Sequence, residues 1–496
     1  MTPLNDIGGL LPAQISQKLR PWQIKPAEQL IEILKQHGAA IDTSSTGAGK
    51  SYTAAAAAVY LNVPTLAVVP AISVESWKRA FSHFGDTCTI LSWEMLRSGR
   101  TSLGSWSGGL PLSKTQREFF QCVVCLRVVE MQAEKFMACP HHRFGTHCVQ
   151  TKVRPHRYGR FQFHPGVKFI ILDECHRAAN DSLNAEMMIA AKRQGIMTLA
   201  LSATPANSPL QMRALGYLLG LHGLANFDNW AYRKGCRRVP MRGWAWQASQ
   251  ADQLAIMADI RTQMRGVRLS EKDIPDFPER HISAELYTLP DKDTEALNAL
   301  YADIADSYSK LQERASLDIN PELPLTKRLR ARQLIELLKI GVAAELGQDY
   351  IEKGNSVAFF VNFRATIDEL FKRFPNARII DGNNTKNRQQ IVDDFQANKF
   401  RELIVNNQAG RESLSLHDLT GDSPRVGIVF PSDSATAMRQ LFGRLARDGG
   451  KSAAYYRVIF AAKSVEVPMR RALAAKLNNL DALLDNDLIP NNLQID

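Results

Sequence analysis

Cysteine is scarce: seven in 496 residues, too few for a disulfide framework in a chain of this size. Met1 to Gln14 has no basic start followed by an apolar core, so no secretory signal is expected. No uninterrupted apolar run reaches membrane-spanning length. The alanine-rich stretch from Ala54 to Val69 comes nearest, and Asn62 and Pro64 break it. A cytoplasmic protein with no membrane partner is expected. Repeats of fixed period are absent. Acid is missing from two stretches, Val149 to Gly166 and Asn229 to Ala251.

What is present points to an enzyme on a polyanion. The formal net charge is +11, a surplus that suits nucleic acid. Hydrophobic residues at 45% and charged residues at 22% are ordinary globular values, and the length implies two to three domains. Helical patterns at 27–37 and 52–61 alternate with apolar runs at Thr65 to Val69, Thr89 to Leu91, Val167 to Leu172 and Thr198 to Leu201. Strand–helix alternation predicts an α/β fold with a parallel sheet covered on both faces. The alternation stops at about 105–165. It gives way to long helices such as Asp293 to Arg314 and Leu325 to Leu346, then resumes from Ser356 to Phe460. The expected organisation is a first α/β domain over 1–228, interrupted by an insertion at 105–165, a helical connector at 229–345 and a second α/β domain at 346–496.

Ser44-Ser45-Thr46-Gly47-Ala48-Gly49-Lys50-Ser51 reads as a phosphate-binding loop. Gly47 and Gly49 let the backbone N–H groups of Thr46 to Ser51 curl around phosphate oxygens. Lys50 supplies an ammonium for the β- and γ-phosphates, and the Ser51 hydroxyl a ligand for Mg²⁺. The helix beginning there aims its positive end at the anion. Ser44 stands where such loops usually carry glycine. Downstream, the apolar run Phe169 to Leu172 ends in Asp173-Glu174-Cys175-His176. Asp173 suits Mg²⁺, and Glu174 suits orienting and deprotonating the attacking water. Gln440-Leu441-Phe442-Gly443-Arg444-Leu445-Ala446-Arg447 puts Arg444 and Arg447 on one helix face, where guanidinium groups can neutralise a transferring phosphoryl group.

Cys122, Cys125, Cys139 and Cys148 cluster inside the insertion, with His141, His142 and His147 close by. Two pairs of soft ligands separated by a loop suit a tetrahedral structural Zn²⁺ site, in which a histidine can replace Cys139 or Cys148. Arg154, Arg157 and Arg160 interleave with Tyr158, Phe161 and Phe163 in an acid-free flank. That pattern fits phosphate contact with base stacking, or a module that only packs on its host. Arg237 and Arg238, near Trp244 and Trp246, are further nucleic-acid candidates, although tryptophan is more often core.

Taken together, these motifs resemble those of superfamily 2 helicases of the DExH type, with the Swi/Snf-like branch and bacteriophage helicases as nearest kin. Thr46 to Ser51 resembles motif I, Asp173 to His176 motif II, and Gln440 to Arg447 motif VI, with Gln440 among the catalytic set. Ser202-Ala203-Thr204 is similar to motif III, which couples hydrolysis to movement. Gln23, in Arg20-Pro21-Trp22-Gln23, resembles the glutamine that reads adenine. Pro70 and Lys78 resemble the motif Ia contacts to the nucleic-acid backbone. Arg268 to Arg280 is similar to the bridge between motor domains, and Lys463 to Glu466 to the brace that follows motif VI. Motif V departs from the pattern, with Arg411 and Ser413 where glycines are usual.

The resemblance implies two RecA-like domains forming an ATP-dependent DNA helicase or translocase, monomeric, using Mg²⁺ with ATP. An RNA helicase is the alternative. The location implied is a bacterial cytoplasm or a phage-infected host. It also makes an iron–sulfur cluster the runner-up to zinc.

Overall fold

The computed structural model describes residues 9–106, 118–122, 128–131, 150–153, 160–179, 182–239, 243–314, 322–382, 387–407, 414–432, 435–464, 466–467, 470–471 and 473–474. Two six-stranded sheets, parallel throughout, organise the chain. The first runs Gly266–Val267, Ala39–Asp42, Met197–Leu201, Phe169–Leu172, Thr65–Val69, Thr89–Ser92. The second runs Arg280–Tyr287, Ala454–Ala461, Arg425–Val429, Ser356–Val361, Glu402–Asn406, Arg378–Ile380.

Each sheet is buried on both faces, and the two-residue alternation of a strand feeds both cores. Ile170 and Leu172 enter one apolar cluster of the first lobe, Phe169 and Ile171 the other. In the second lobe Ala358 and Phe360 face one cluster, Val357, Phe359 and Val361 the opposite one. This is the expected α/β architecture of two RecA-like domains.

The elements differ from expectation where local signals are weak. The first long helix starts at Pro21 rather than near 27, because Pro suits its first turn and Gln23 Oε1 accepts the Arg20 N–H at 3.0 Å. The helix expected over Leu325 to Leu346 is two, Glu322–Leu338 and Ile340–Glu352. They break at Lys339, whose ammonium is buried 2.8 Å from Glu466. The stretch 229–345 is more than a helical connector. It holds an antiparallel hairpin (Cys236–Val239 with Gly243–Trp246), the last strand of the first sheet and the first strand of the second.

The insertion leaves and rejoins the first lobe through an antiparallel pair, Gly104–Trp106 with Phe161–Phe163. Within it Glu118–Cys122, Val128–Met131 and Gln150–Val153 form a small antiparallel sheet.

Candidate active site between the lobes

Strand order brings the candidate groups together. Ala39–Asp42, Met197–Leu201 and Phe169–Leu172 are neighbours, so the phosphate loop, Ser202 and Asp173 leave adjacent carboxyl ends of one parallel sheet. Ligands bind at such edges in open α/β sheets. Gly47 and Gly49 have φ of 87° and 84°, conformations that side chains resist, and the helix Lys50–Leu61 starts directly after them.

Lys50 Nζ donates to the carbonyls of Ser44 and Ser45 at 2.7 and 3.1 Å. Burial lowers its pKa, and Arg447 pushes the same way. Asp42, Glu174 and Asp173 oppose the shift. Gln23 has both polar side-chain atoms engaged: Nε2 donates to Ala48 O at 3.1 Å, Oε1 accepts from Arg20. A Cβ on Gly49 would lie 2.0 Å from Gln23 Nε2, so the second loop glycine makes room for that tie.

Asp173 is gripped by two tryptophans that sequence reasoning did not assign to it. Trp77 Nε1 donates to Oδ2 at 2.8 Å, and Trp93 Nε1 to the main-chain oxygen at 2.8 Å. Trp77 directly precedes Lys78 in the stretch that resembles motif Ia. No local pattern reveals a bond to a residue so distant in sequence. Burial, reinforced by the Glu174 charge, pushes Asp173 up to about 6. Lys50 offsets that shift only in part, and a divalent cation would supply further positive charge. Asp173 thus suits Mg²⁺, with Ser51 in the first turn of the loop helix as its expected companion.

Glu174 has φ 50° and ψ 52°, a left-handed backbone uncommon outside glycine and frequent at functional sites. Burial raises its pKa, but the His176 hydrogen bond and charge, Lys50 and Arg444 together bring it below the ordinary range. It is therefore ionised, as a water-activating base must be. Glu174 Oε2 lies 3.2 Å from His176 Nδ1 and accepts from Gln440 Nε2 at 3.4 Å. His176 Nδ1 also lies 3.1 Å from Ser202 Oγ, which accepts the Thr204 N–H at 3.0 Å. The segments that resemble motifs II, III and VI are thus linked by side chains.

The second lobe closes on the phosphate loop. A Cβ on Gly47 would lie 2.8 Å from Arg447 Cγ, and one on Gly443 2.5 Å from Thr46 Cβ. Arg444 is 3% exposed, and its Nη1 has no partner among the described residues. Burial, then the neighbouring guanidinium, lowers Arg444 to about 9; burial lowers Arg447 to about 10, and both stay charged at neutral pH. Lysine and acids from one lobe thus meet a guanidinium pair from the other.

Other expected residues fare differently. Pro70 is buried at the end of Thr65–Val69, and Lys78 is exposed beside Glu75 at 2.7 Å. Arg237 stacks 4.0 Å over Tyr232 and donates to main-chain oxygens of Tyr232 and Cys236. Arg238 lies 5.8 Å from the Trp244 ring, and Trp244 and Trp246 pack on the first-lobe core. Arg160 is exposed where the insertion returns. Arg154, Arg157, Cys125, Cys139, Cys148, Arg411 and Ser413 lie outside the described residues. Cys122 ends a strand, and no group of three metal-ligating side chains occurs among the described residues. Among them, too, no helix is long and apolar enough to cross a membrane.

Chemistry divided in this way between two parallel-sheet lobes is that of a tandem RecA-like nucleotide hydrolase. Residues 16–207 match the family described as "Type III restriction enzyme, res subunit", and residues 333–449 match "Helicase conserved C-terminal domain". With that pair, in that order, the chain belongs among the superfamily 2 helicases: ATP-hydrolysing, nucleic-acid-binding enzymes that use Mg²⁺ with ATP. A protein of Acanthamoeba polyphaga mimivirus, named as a candidate ATP-dependent RNA helicase, is 29% identical over 500 residues, spanning 97% of this chain and 86% of its own. The SWI2/SNF2 ATPase core of Sulfolobus solfataricus, solved with double-stranded DNA, covers 96% of this chain and 97% of its own, at 14% identity and a TM-score of 0.35.

Proposed function

We propose that this enzyme is an ATP-driven DNA motor of the DExH type, which translocates along DNA and unwinds or remodels it. The observation that carries the motor reading is the interlobe contact: Arg447 lies on Gly47, and Gln440 lies 3.4 Å from Glu174. Charge neutralisation from the second lobe makes hydrolysis depend on closure, and release of product relaxes it. Glu174 activates the water, Asp173 and Ser51 hold Mg²⁺, Lys50 and the loop N–H groups hold the triphosphate, and Arg444 and Arg447 stabilise the transferring phosphoryl. Adenine recognition by Gln23 requires its amide to leave the Ala48 carbonyl.

DNA is favoured by the Swi/Snf-like pattern at Arg268 to Arg280. RNA is the second reading, favoured by the name of the mimivirus relative. ATPase rates with single-stranded, duplex and forked DNA and with RNA separate them. Stimulation by DNA supports the first reading, stimulation by RNA alone the second, and normal turnover in Glu174→Gln removes the mechanism.

Zinc in the insertion belongs to the same proposal. In support, Cys122 pairs in register with Gln150, two residues after Cys148 in sequence, at one end of the small sheet. Metal analysis of the purified protein distinguishes zinc from iron.

A further inference from the structure

Ser44 replaces the glycine that usually opens a phosphate loop, and every polar atom it has is in use. Its N–H donates to Asp42 Oδ1 at 2.8 Å, its carbonyl accepts from Lys50 at 2.7 Å, and its hydroxyl accepts the Leu269 N–H at 2.9 Å. Leu269 belongs to the segment that leaves the first lobe for the second. That segment runs beside the loop as an extension of the sheet. Thr43 N donates to Val267 O at 2.9 Å and Ser45 N to Leu269 O at 2.9 Å, while Arg268 Nη1 donates to Thr43 O at 2.7 Å. The approach is close enough that a Cβ on Gly266 would lie 2.2 Å from Ile41 O.

We propose that Ser44 is a positioning residue that ties the phosphate loop to the interlobe linker and transmits nucleotide entry to the second lobe. This deepens the motor reading above and rests on it. Lys50 holds the carbonyls of Ser44 and Ser45, the two residues that also hold Leu269. An incoming triphosphate competes for the Lys50 ammonium and frees both carbonyls. One of the peptide planes that turn, Ser44–Ser45, donates its N–H to the Leu269 carbonyl of the linker, and the Ser44 hydroxyl holds the Leu269 N–H. Beyond Leu269 the path is stiff: Glu271 pairs with Arg280, the first residue of the second sheet. Phe277 packs on both the Ala48–Leu269–Ile274 cluster and the second-lobe core. Glycine at position 44 could hold phosphate equally well but could not accept from Leu269.

The test compares Ser44→Ala, which deletes the acceptor, with Ser44→Thr, which keeps it, using amide hydrogen exchange at Leu269 and nucleic-acid-stimulated ATPase kinetics. Loss of one buried hydrogen bond predicts, for Ser44→Ala, roughly tenfold faster exchange at Leu269 and a roughly tenfold lower kcat, with KM for ATP moving less than about threefold. Ser44→Thr should stay near the wild type in both. Unchanged Leu269 protection in Ser44→Ala, or kcat and KM falling together, or equal damage in Ser44→Thr, overturns the proposal. A wild-type enzyme that hydrolyses no ATP with any nucleic acid overturns the motor reading instead, and the exchange measurement still reports on the tie.

Discussion

The two lobes are built on the same plan and do opposite work. In the first, the strand Ala39–Asp42 opens into a glycine-rich loop with a lysine, and the strand Phe169–Leu172 ends in two carboxylates. In the second, the strand Ser356–Val361 opens into Asn362, whose N–H and amide are held by buried Glu336 at 2.9 and 2.8 Å. That loop, Asn362 and Phe363 ahead of the helix Arg364–Arg373, has neither a glycine nor a lysine. What the second lobe offers comes instead from the turn after the helix Ala435–Phe442, as the buried guanidinium of Arg444 and the half-buried one of Arg447. One scaffold therefore keeps the cradle and the other supplies the lever. On the proposed mechanism neither half is expected to hydrolyse ATP alone.

Substitutions on the two sides should separate binding from turnover. Arg447→Ala is expected to cut kcat about 10³-fold while leaving ATP binding to the first lobe largely intact, checked by steady-state ATPase and a fluorescent nucleotide titration. Equal loss of binding and turnover would erase the distinction between cradle and lever. On the cradle side, Glu174→Gln should cut kcat by about 10²–10⁴ with little change in KM, since the base acts only on the attacking water. Trp77→Phe removes the donor that orients Asp173; a drop of about tenfold in apparent Mg²⁺ affinity is expected from a magnesium titration of the ATPase rate.

The smallest effect is confined to the second lobe. Burial, with Arg447 and Arg425 nearby, holds His417 down from 6.5 to about 4. Between those values the unfolded chain binds a proton that the folded chain does not, so stability falls as pH drops from about 6.5 towards 4. The loss is on the order of 2 kcal/mol. Melting curves at pH 7 and 5 should show it, and His417→Gln should flatten the slope. An unchanged slope in that variant removes His417 as its cause.

The nucleotide side was legible because its parts are contiguous. A phosphate loop, an apolar strand ending in two acids and an arginine pair each carry their meaning in a few adjacent residues, although the pair, expected on one helix face, lies in the turn after the helix Ala435–Phe442. What escaped was assembled across distance or lacked periodicity. Trp77 and Trp93 reach Asp173 from remote segments, and only the sheet brings them there. Ala39–Asp42 is too short and too alanine-rich to read as a strand, and Gly266–Val267 is two residues long. Arg280–Tyr287 forms the edge of its sheet, so its outer positions stay half-exposed and break the alternation. Missing Gly266–Val267 and Arg280–Tyr287 is why the passage between lobes read as helical. The arginine pair was legible as chemistry, but its partner loop was knowable only from the fold.

The stem of the insertion has a consequence for how such an enzyme diversifies. Trp106 and Phe161 sit opposite each other, so the excursion begins and ends at one spot on the first lobe. A whole module can be grafted, exchanged or shed there, bridged by a short turn, without shifting any strand of the engine beneath it. New specificity can thus be acquired by swapping the attachment while the chemistry stays as it was.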